Sequence, residues 1–420
     1  MDAGRGEGDR PGGAGIALSR NLRHLRAFRE AAETGSMTRA AARAGVTQPA
    51  VTQAVRRLEA GAGGALFDRR SGGLFPTARG RVLARRVARA LALLDPALRE
   101  VSPRLAVTVT ARQLEALVAV AEAQSFTLAA HRLGLAQPTV HRAVAQIERE
   151  AGRPLFDRVS FGVIAARGTR ALAQAARLAF AEIGQAEAEL AELSGAEAGH
   201  VVIGALPLAR AAVLPAALVA FQARRPRQPV TVIDGPYDEM LGGLLRGEID
   251  LILGALREPP PAPGIVQEAL FDDRLAVLAD PSHPLAGEGA PEIDALSRFP
   301  WVVPRQGTPS RAQFDAVFAA HALPSAPIEA GSILLMREVL RRGTHLGCIS
   351  AAQAAAEIAS GLLVALPADP GWPGRPIGIA TRAGWEPTAA QSLMIDLIRA
   401  AARATAPLSA RPDAGSAAAS

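Results

Sequence analysis

Residues 25–69 read LRAFREAAETGSMTRAAARAGVTQPAVTQAVRRLEAGAGGALFDR, and residues 114–158 read LEALVAVAEAQSFTLAAHRLGLAQPTVHRAVAQIEREAGRPLFDR. The second stretch follows the first at a constant offset of 89 (125 − 36 for the serines, 155 − 66 for the leucines), with no gap and about half the positions identical. Self-similarity of this length marks one module used twice.

Each copy has the punctuation of a helix-turn-helix. Ser36 is placed to cap a short helix through Arg43, and Gly45 supplies the tight turn, since glycine accepts positive φ. Thr47 is a candidate cap for the next helix, with Pro49 in its first turn, where a missing N–H costs nothing. On that helix Val51, Val55 and Leu58 form an inward stripe, while Gln48, Thr52, Gln53 and Arg56 lie on the other face. Glutamine pairs with adenine, arginine with guanine, and threonine or proline meets a thymine methyl, so this face suits a DNA groove. Residues 71–77 predict a short β wing, beside which Arg69, Arg70 and Arg79 are placed to neutralise phosphates. The second copy offers Gln137, Pro138, Thr139, His141 and Arg142, with Arg158 in the position of Arg69. His141 is either a base or phosphate contact or a solvated side chain. Ala136 stands where Thr47 stood, and loss of such a cap costs roughly 1 kcal/mol. The plainer alternative for either copy is a pair of packed helices with no DNA to read.

The order Leu-x-x-Phe, Ser-x-Thr-x-Ala-Ala, Gly-Val-Thr-Gln-Pro-Ala-Val, Leu-Phe-Asp-Arg, Thr77-x-x-Gly80 resembles the winged DNA-binding domain of LysR-type transcription regulators. The second copy departs from the pattern at Ala136 and at Ala165, where that family usually has a hydroxyl residue, and the duplication itself departs from the usual layout. Residues 168–197 form a heptad seam through Leu172, Ala176, Ala179, Ile183, Ala186, Leu190 and Leu193. The resemblance implies that this helix pairs two subunits, giving a homodimer or homotetramer through 168–198; the alternative is a helix packed within its own chain. Residues 80–100 predict a similar helix after the first copy.

From His200 the rhythm becomes strand–helix–strand. Strands are expected at 201–204, 230–233, 249–253, 275–279, 301–303, 328–330, 346–350 and 376–381, with helices at 211–222 and 387–402 among those between. Two α/β lobes around a parallel sheet follow, with a cleft where strand ends meet helix N-termini. This half resembles the periplasmic-binding-protein-like effector domain of the same family through Phe271-Asp-Asp-Arg, His283-Pro-Leu, Phe299-Pro-Trp-Val and Leu346-Gly-Cys-Ile. Residues 304–311 and 332–337 resemble a branch regulating sugar uptake or aromatic-acid breakdown. The candidate effector contacts are Leu206, Pro207, Ala209, Arg210, Asp234, Gly235, Thr308, Pro309, Ser310, Arg311 and Ser332. Hydroxyls and free N–H groups at helix N-termini favour anions, so an organic acid or a sugar is the expected ligand class.

The bulk composition agrees. Residues 1–198 carry 28 Arg against 19 carboxylates (+9), residues 199–420 carry 18 against 21 (−3), so the front half is the one suited to a polyanion. No Walker A, GxGxxG, HExxH or paired-Cys motif occurs, and the seven histidines lack metal-ligand spacing, so neither an enzyme nor a cofactor or metal is expected. The single cysteine, Cys348, falls in an apolar strand and is read as core. The sequence shows no secretory segment or membrane span, and the expected location is cytoplasmic. The expected plan has a disordered tail at 1–19, a first winged helix-turn-helix with its following helix at 20–100, and a second at 108–167. A linker helix at 168–198, an effector domain at 199–404 and a second tail at 405–420 follow. A DNA-binding regulator biased by a small molecule is the leading function; a small-molecule-binding α/β protein in which one helix-turn-helix is a protein-interaction module is the alternative.

Overall fold

The computed structural model describes residues 18, 20–160, 162–287 and 289–409, and divides into two compact units, Met1–Gly199 and His200–Ser420. Of the two expected tails, residues 1–17, 19 and 410–420 lie outside the described residues. The ends that are described correct the plan: Leu18 is buried and its N–H donates to Glu187 (2.9 Å), and the last helix continues to Ser409.

The first unit begins with α1 (Leu22–Thr34), α2 (Met37–Ala44) and α3 (Gln48–Ala62). A ribbon of β1 (Phe67–Arg70) and β2 (Gly73–Pro76) follows, then α4 (Ala78–Val101) and a short α5 (Leu105–Thr108). The same order recurs as α6 (Ala111–Ala123), α7 (Phe126–Leu133), α8 (Gln137–Ala151), β3 (Phe156–Val159), β4 (Gly162–Ala165) and α9 (Arg167–Glu192). Ser36 and Ser125 cap α2 and α7 through their hydroxyls, and Gly45 and Gly134 turn the chain at φ +63°. Thr47, expected to cap α3 with its side chain, does not, so Ala136 at the start of α8 loses nothing by comparison. The reason is local: Pro49 and Pro138 remove one of the N–H groups that a cap would satisfy.

The expected departure at Ala165 also moves. The residue matching Thr77 is Ala166, since these two precede α4 and α9. Thr77 accepts from Gly80 N–H (3.0 Å) and donates to the Ala65 carbonyl (2.8 Å). Gly80 is required there, because a Cβ would stand 2.0 Å from the Leu66 carbonyl oxygen. In the second copy the hydroxyl comes three residues later: Thr169, buried, donates to the Leu155 carbonyl (2.8 Å), the counterpart of Leu66.

One apolar core runs through both sets of helices. The seam residues Leu172, Ala176, Ala179, Ile183, Ala186 and Leu190 are buried, but their cover is not a second subunit. It is α4 of the same chain, which contributes Leu83, Val87, Leu91, Leu94 and Leu98 to the same core. Leu193, expected in the seam, is exposed. The seam expected to pair two subunits is therefore corrected to a contact within the chain, because that face is filled by α4. Each leucine so buried contributes roughly 1.5–3 kcal/mol.

A charge cluster is sealed into the same contact. Arg86 has no exposed side-chain surface and donates to Glu182 (2.9 Å), Gln185 (2.6 Å) and Glu189 (2.5 Å). Arg89 also binds Glu182 (2.9 Å), and Arg85 also binds Glu189 (2.6 Å). Burial alone pulls the Arg86 pKa down, but the two carboxylates outweigh it and the net shift is upward.

The second unit holds two five-stranded sheets. The first lobe carries β5 (Val201–Ala205), β6 (Val230–Ile233), β7 (Leu251–Ala255), β8 (Ile265–Asp273) and β14 (Arg375–Arg382) in the order β6-β5-β7-β14-β8. Its helices are α10 (Leu214–Arg224), α11 (Tyr237–Arg246) and α16 (Ala389–Ser409). The second lobe orders β11 (Ile328–Glu329), β10 (Trp301–Val303), β12 (Leu346–Ser350), β9 (Leu275–Ala279) and β13 (Val364–Leu366). It carries α12 (Ile293–Leu296), α13 (Pro309–Phe318), α14 (Ile333–Leu340) and α15 (Ala355–Ala359). The expected parallel sheet is corrected to mixed ones: β14 runs antiparallel to β7 and β8, and β9 antiparallel to β12 and β13. The expected helix at 211–222 starts at Leu214 after a wider π turn, Ala209–Val213, because Pro215 in its first turn has no N–H to continue the ladder.

Replacing Arg86 by Met leaves Glu182 and Glu189 buried with one cation fewer. We expect a loss of about 3 kcal/mol in the urea unfolding of the first unit. An unchanged unfolding midpoint at neutral pH contradicts this account of the cluster.

Candidate nucleic-acid interface and effector cleft

Helices α3 and α8 present their outer faces to solvent. On α3, Gln48, Pro49, Gln53 and Arg56 are exposed and Thr52 is half-buried, with Thr47 exposed just before the helix. Gln48 donates its amide to Thr52 Oγ1 (3.0 Å), and Thr52 donates to the Gln48 carbonyl (3.1 Å). On α8, Gln137, Pro138, Thr139, His141 and Arg142 are all exposed. Arg142 donates through Nε to the Pro138 carbonyl (3.3 Å), and the His141 ring lies 5.2 Å from the Phe126 ring. The inner stripes, Val51, Val55 and Leu58 on one helix and Val140, Val144 and Ile147 on the other, are buried. Both faces are therefore held rigidly from behind.

Arg69, Arg70 and Arg158 stand exposed on the first strand of each ribbon, and Arg70 lies 5.7 Å from the Phe75 ring. Arg79 is corrected. Its guanidinium donates to the carbonyls of Ala62 (3.0 Å) and Leu190 (3.1 Å) and to Ser194 Oγ (2.8 Å), so it ties α4 to the end of α9 instead of facing outward with the wing. Sequence reasoning passed over Arg57, which is exposed on α3 one turn beyond Gln53; that one-turn spacing was the available signal. Its charge, after burial, helps lower the pKa of His24.

In the effector half the expected contacts fall into separate groups. Arg210 is paired with Asp234 (2.5 Å), with Gly235 exposed beside it. Leu206 and Pro207 are half-buried, and Gly254 is required beneath them because a Cβ there would stand 2.5 Å from Leu206. Ala209 is wholly inside the apolar core of the first lobe, among Val213, Leu214 and Phe221, so it is set back from any cleft surface. Across the unit, Thr308 caps α13 by accepting from Arg311 N–H (3.2 Å), and Ser332 caps α14 by accepting from Leu335 N–H (3.3 Å). Pro309 is half-buried and Ser310 buried. Arg311 is buried too and is already held by Asp315 (2.7 Å) and Glu329 (2.6 Å).

The expected list missed the polar knot at the lobe crossings. Asp273, fully buried at the end of β8, accepts from Ser350 Oγ (2.7 Å) and from Arg375 at the start of β14 (2.9 Å), and Arg375 also bonds Ser310. Burial raises the Asp273 pKa, with Arg375 and Ser350 opposing. An open groove of about 380 Å³ lies on the first lobe, lined by Asp234, Asp238, Glu239 and Glu248 against Arg246. Its carboxylates repel an anion, so of the two expected ligand classes it disfavours the organic acid and not the uncharged sugar. Among the described residues no group of His, Cys, Asp and Glu is placed to hold a metal, and no helix is long and apolar enough to cross a membrane.

The chain matches two family models. The LysR substrate binding domain covers residues 194–403, and the bacterial regulatory helix-turn-helix protein of the lysR family covers residues 22–81 and again 111–171. The HTH-type transcriptional regulator GalR of Pseudomonas putida is 35% identical over 374 residues, covering 87% of this chain and 93% of its own. The HTH-type transcriptional regulator PcaQ of Agrobacterium fabrum is 28% identical over 293 residues, covering 69% of this chain and 94% of its own. Full-length OxyR from Pseudomonas aeruginosa has the same fold at a TM-score of 0.51 and 23% identity, over 69% of this chain and 98% of its own.

Cys348 lies in β12 with no exposed surface, and burial pushes its thiol pKa far up against the opposing charge of Arg375. We expect no reaction with an aromatic disulfide reagent at neutral pH in the folded protein and one full equivalent after guanidinium unfolding. Rapid labelling of the native protein contradicts that placement.

Proposed function

The chain belongs to the LysR family of transcription regulators, and from that premise we propose that it reads DNA with both of its winged helix-turn-helix copies while a small molecule in the effector half biases the contact. It is a DNA-binding regulator with an effector-binding domain, in a family that is not enzymatic. The observation that carries the tandem reading is the pair of exposed polar faces on α3 and α8, each backed by a buried apolar stripe and flanked by an arginine-bearing ribbon. The extent of similarity also supports it. From Ala111 onward the chain has 310 residues (420 − 110), fewer than 87% of its length, so the similarity to GalR of P. putida reaches into the first copy.

The base-facing residues in this reading are Thr47, Gln48, Pro49, Thr52, Gln53 and Arg56 in the first copy and Gln137, Pro138, Thr139, His141 and Arg142 in the second. Arg69, Arg70 and Arg158 hold phosphates. The effector occupies the region of Leu206, Pro207, Arg210, Asp234, Gly235, Thr308, Pro309, Ser310 and Ser332, and is an organic acid or a sugar. With the 168–198 seam already filled, any homo-oligomer forms through another surface. The location is cytoplasmic.

Binding to duplex DNA should weaken steeply with salt, because each neutralised phosphate releases counterions. Replacing Arg69 and Arg158 together by Ala should weaken binding to every duplex alike and flatten the log–log salt slope by about two, one for each lost phosphate contact. A wild-type protein with no duplex preference over random competitor at moderate salt would falsify the regulator reading; an unchanged slope in the double variant removes the two arginines from the contact.

A further inference from the structure

We propose that a single chain is a complete paired reading head for a two-part DNA site whose halves differ in sequence, with no second copy needed for the pair. The proposal rests on the reading that both winged copies bind DNA, and goes beyond it to the architecture and symmetry of the site.

The pairing is visible in the contacts of α4 with α9. Arg79 reaches Leu190 and Ser194, Arg86 reaches Glu182, Gln185 and Glu189, and Arg89 reaches Glu182. As numbers rise on α4 they fall on α9, so the helices run antiparallel. Where they cross, Ala90, Leu91 and Leu94 line one small cavity with Ala179, Phe180 and Ile183. Those are equivalent positions, each 89 residues apart (179 − 90, 180 − 91, 183 − 94). Two copies that meet at equivalent residues on antiparallel helices are related by a local two-fold axis. Each copy is packed alike on its own long helix, α1 against both α4 and α3 and α6 against both α9 and α8, so that axis relates α3 to α8 as well. The two half-sites of a DNA duplex are related by an axis of the same kind.

The pairing is also specified against its alternatives. The positions equivalent to Glu182 and Gln185 on α4 are Leu93 and Pro96, so two α4 helices would strip Arg86 of those partners and leave it only Glu100. The positions equivalent to Arg85, Arg86 and Arg89 on α9 are Gln174, Ala175 and Leu178, so two α9 helices would bury Glu182 and Glu189 from both sides without a cation. A buried charge left without its counter-charge is strongly unfavourable, so each helix prefers the other to itself.

The two readers are not equivalent chemically. Thr52, Gln53 and Arg56 on α3 correspond to His141, Arg142 and Ala145 on α8. The guanidinium moves by one turn, and an amide gives way to a guanidinium at the position before it. Glutamine favours adenine and arginine favours guanine, so one half-sequence does not satisfy both faces. The site read by the chain is a bipartite motif without internal inverted symmetry.

The test selects preferred sequences for the purified full-length chain from a random duplex pool several helical turns long, then repeats the selection with Gln53→Ala and with Arg142→Ala. Both side chains are exposed, so neither change threatens folding. The expected motif has two unlike halves about one helical turn apart, bound by one chain per motif. Gln53→Ala should relax base preference roughly tenfold in one half only, and Arg142→Ala by as much in the other only. If the motif is an inverted repeat relaxed in both halves by one variant and in neither by the other, two chains each use a single copy and the proposal fails. If the motif has only one half, the pairing fails likewise. If no sequence is enriched at all, it is the DNA-reading premise that falls.

Discussion

Arg86 is the residue on which the first unit turns. A guanidinium with no exposed surface cannot be left alone in an apolar contact, and the two glutamates and one glutamine around it all come from α9. The apolar residues of the same helices would tolerate slippage or exchange of partners, since leucine packs on leucine in many registers. The charges do not. They fix which helix lies against which and at what level, while the leucines supply most of the free energy. Both winged copies are carried by these two helices, so the separation and orientation of the outward faces of α3 and α8 depend on this buried ionic contact.

A second constraint is steric. The ribbon in each copy folds back onto the start of the long helix, and the chain passes close enough there that the Leu66 carbonyl leaves no room for a Cβ on Gly80. The second copy has Thr169 at the equivalent position, where its hydroxyl bonds the equivalent carbonyl. The contact is thus made differently in the two copies: glycine lets the carbonyl approach where no Cβ fits, and threonine, which has a Cβ, meets the equivalent carbonyl with a hydrogen bond.

Much of this was legible in the residues. The offset of 89, the serine caps, the turn glycines and the inner stripes of α3 and α8 are local signals, and each states its own conformation. The long-range partners were not. A heptad seam says that a face will be covered and is silent on what covers it, and the same leucines serve a second subunit or a second helix of one chain. Thr47 looked like a cap because of its type, but the proline two residues on removes a donor the cap needs. In the effector half, strands of continuous apolar residues such as Leu346–Ser350 stood out. β8 did not, because it leaves many side chains outside the core, and antiparallel pairing by β14 joins residues about a hundred positions apart. The Asp273–Arg375 contact was hidden for the same reason.

On the proposed reading, two reading domains joined in one polypeptide alter how occupancy depends on supply. A head assembled from separate subunits forms in proportion to the square of their number, and is lost by dilution; a head closed by its own chain is present whenever the chain is, since the partner is held at high effective concentration. Through this contact, at least, a damaged chain has no way to spoil the reading head of a sound one.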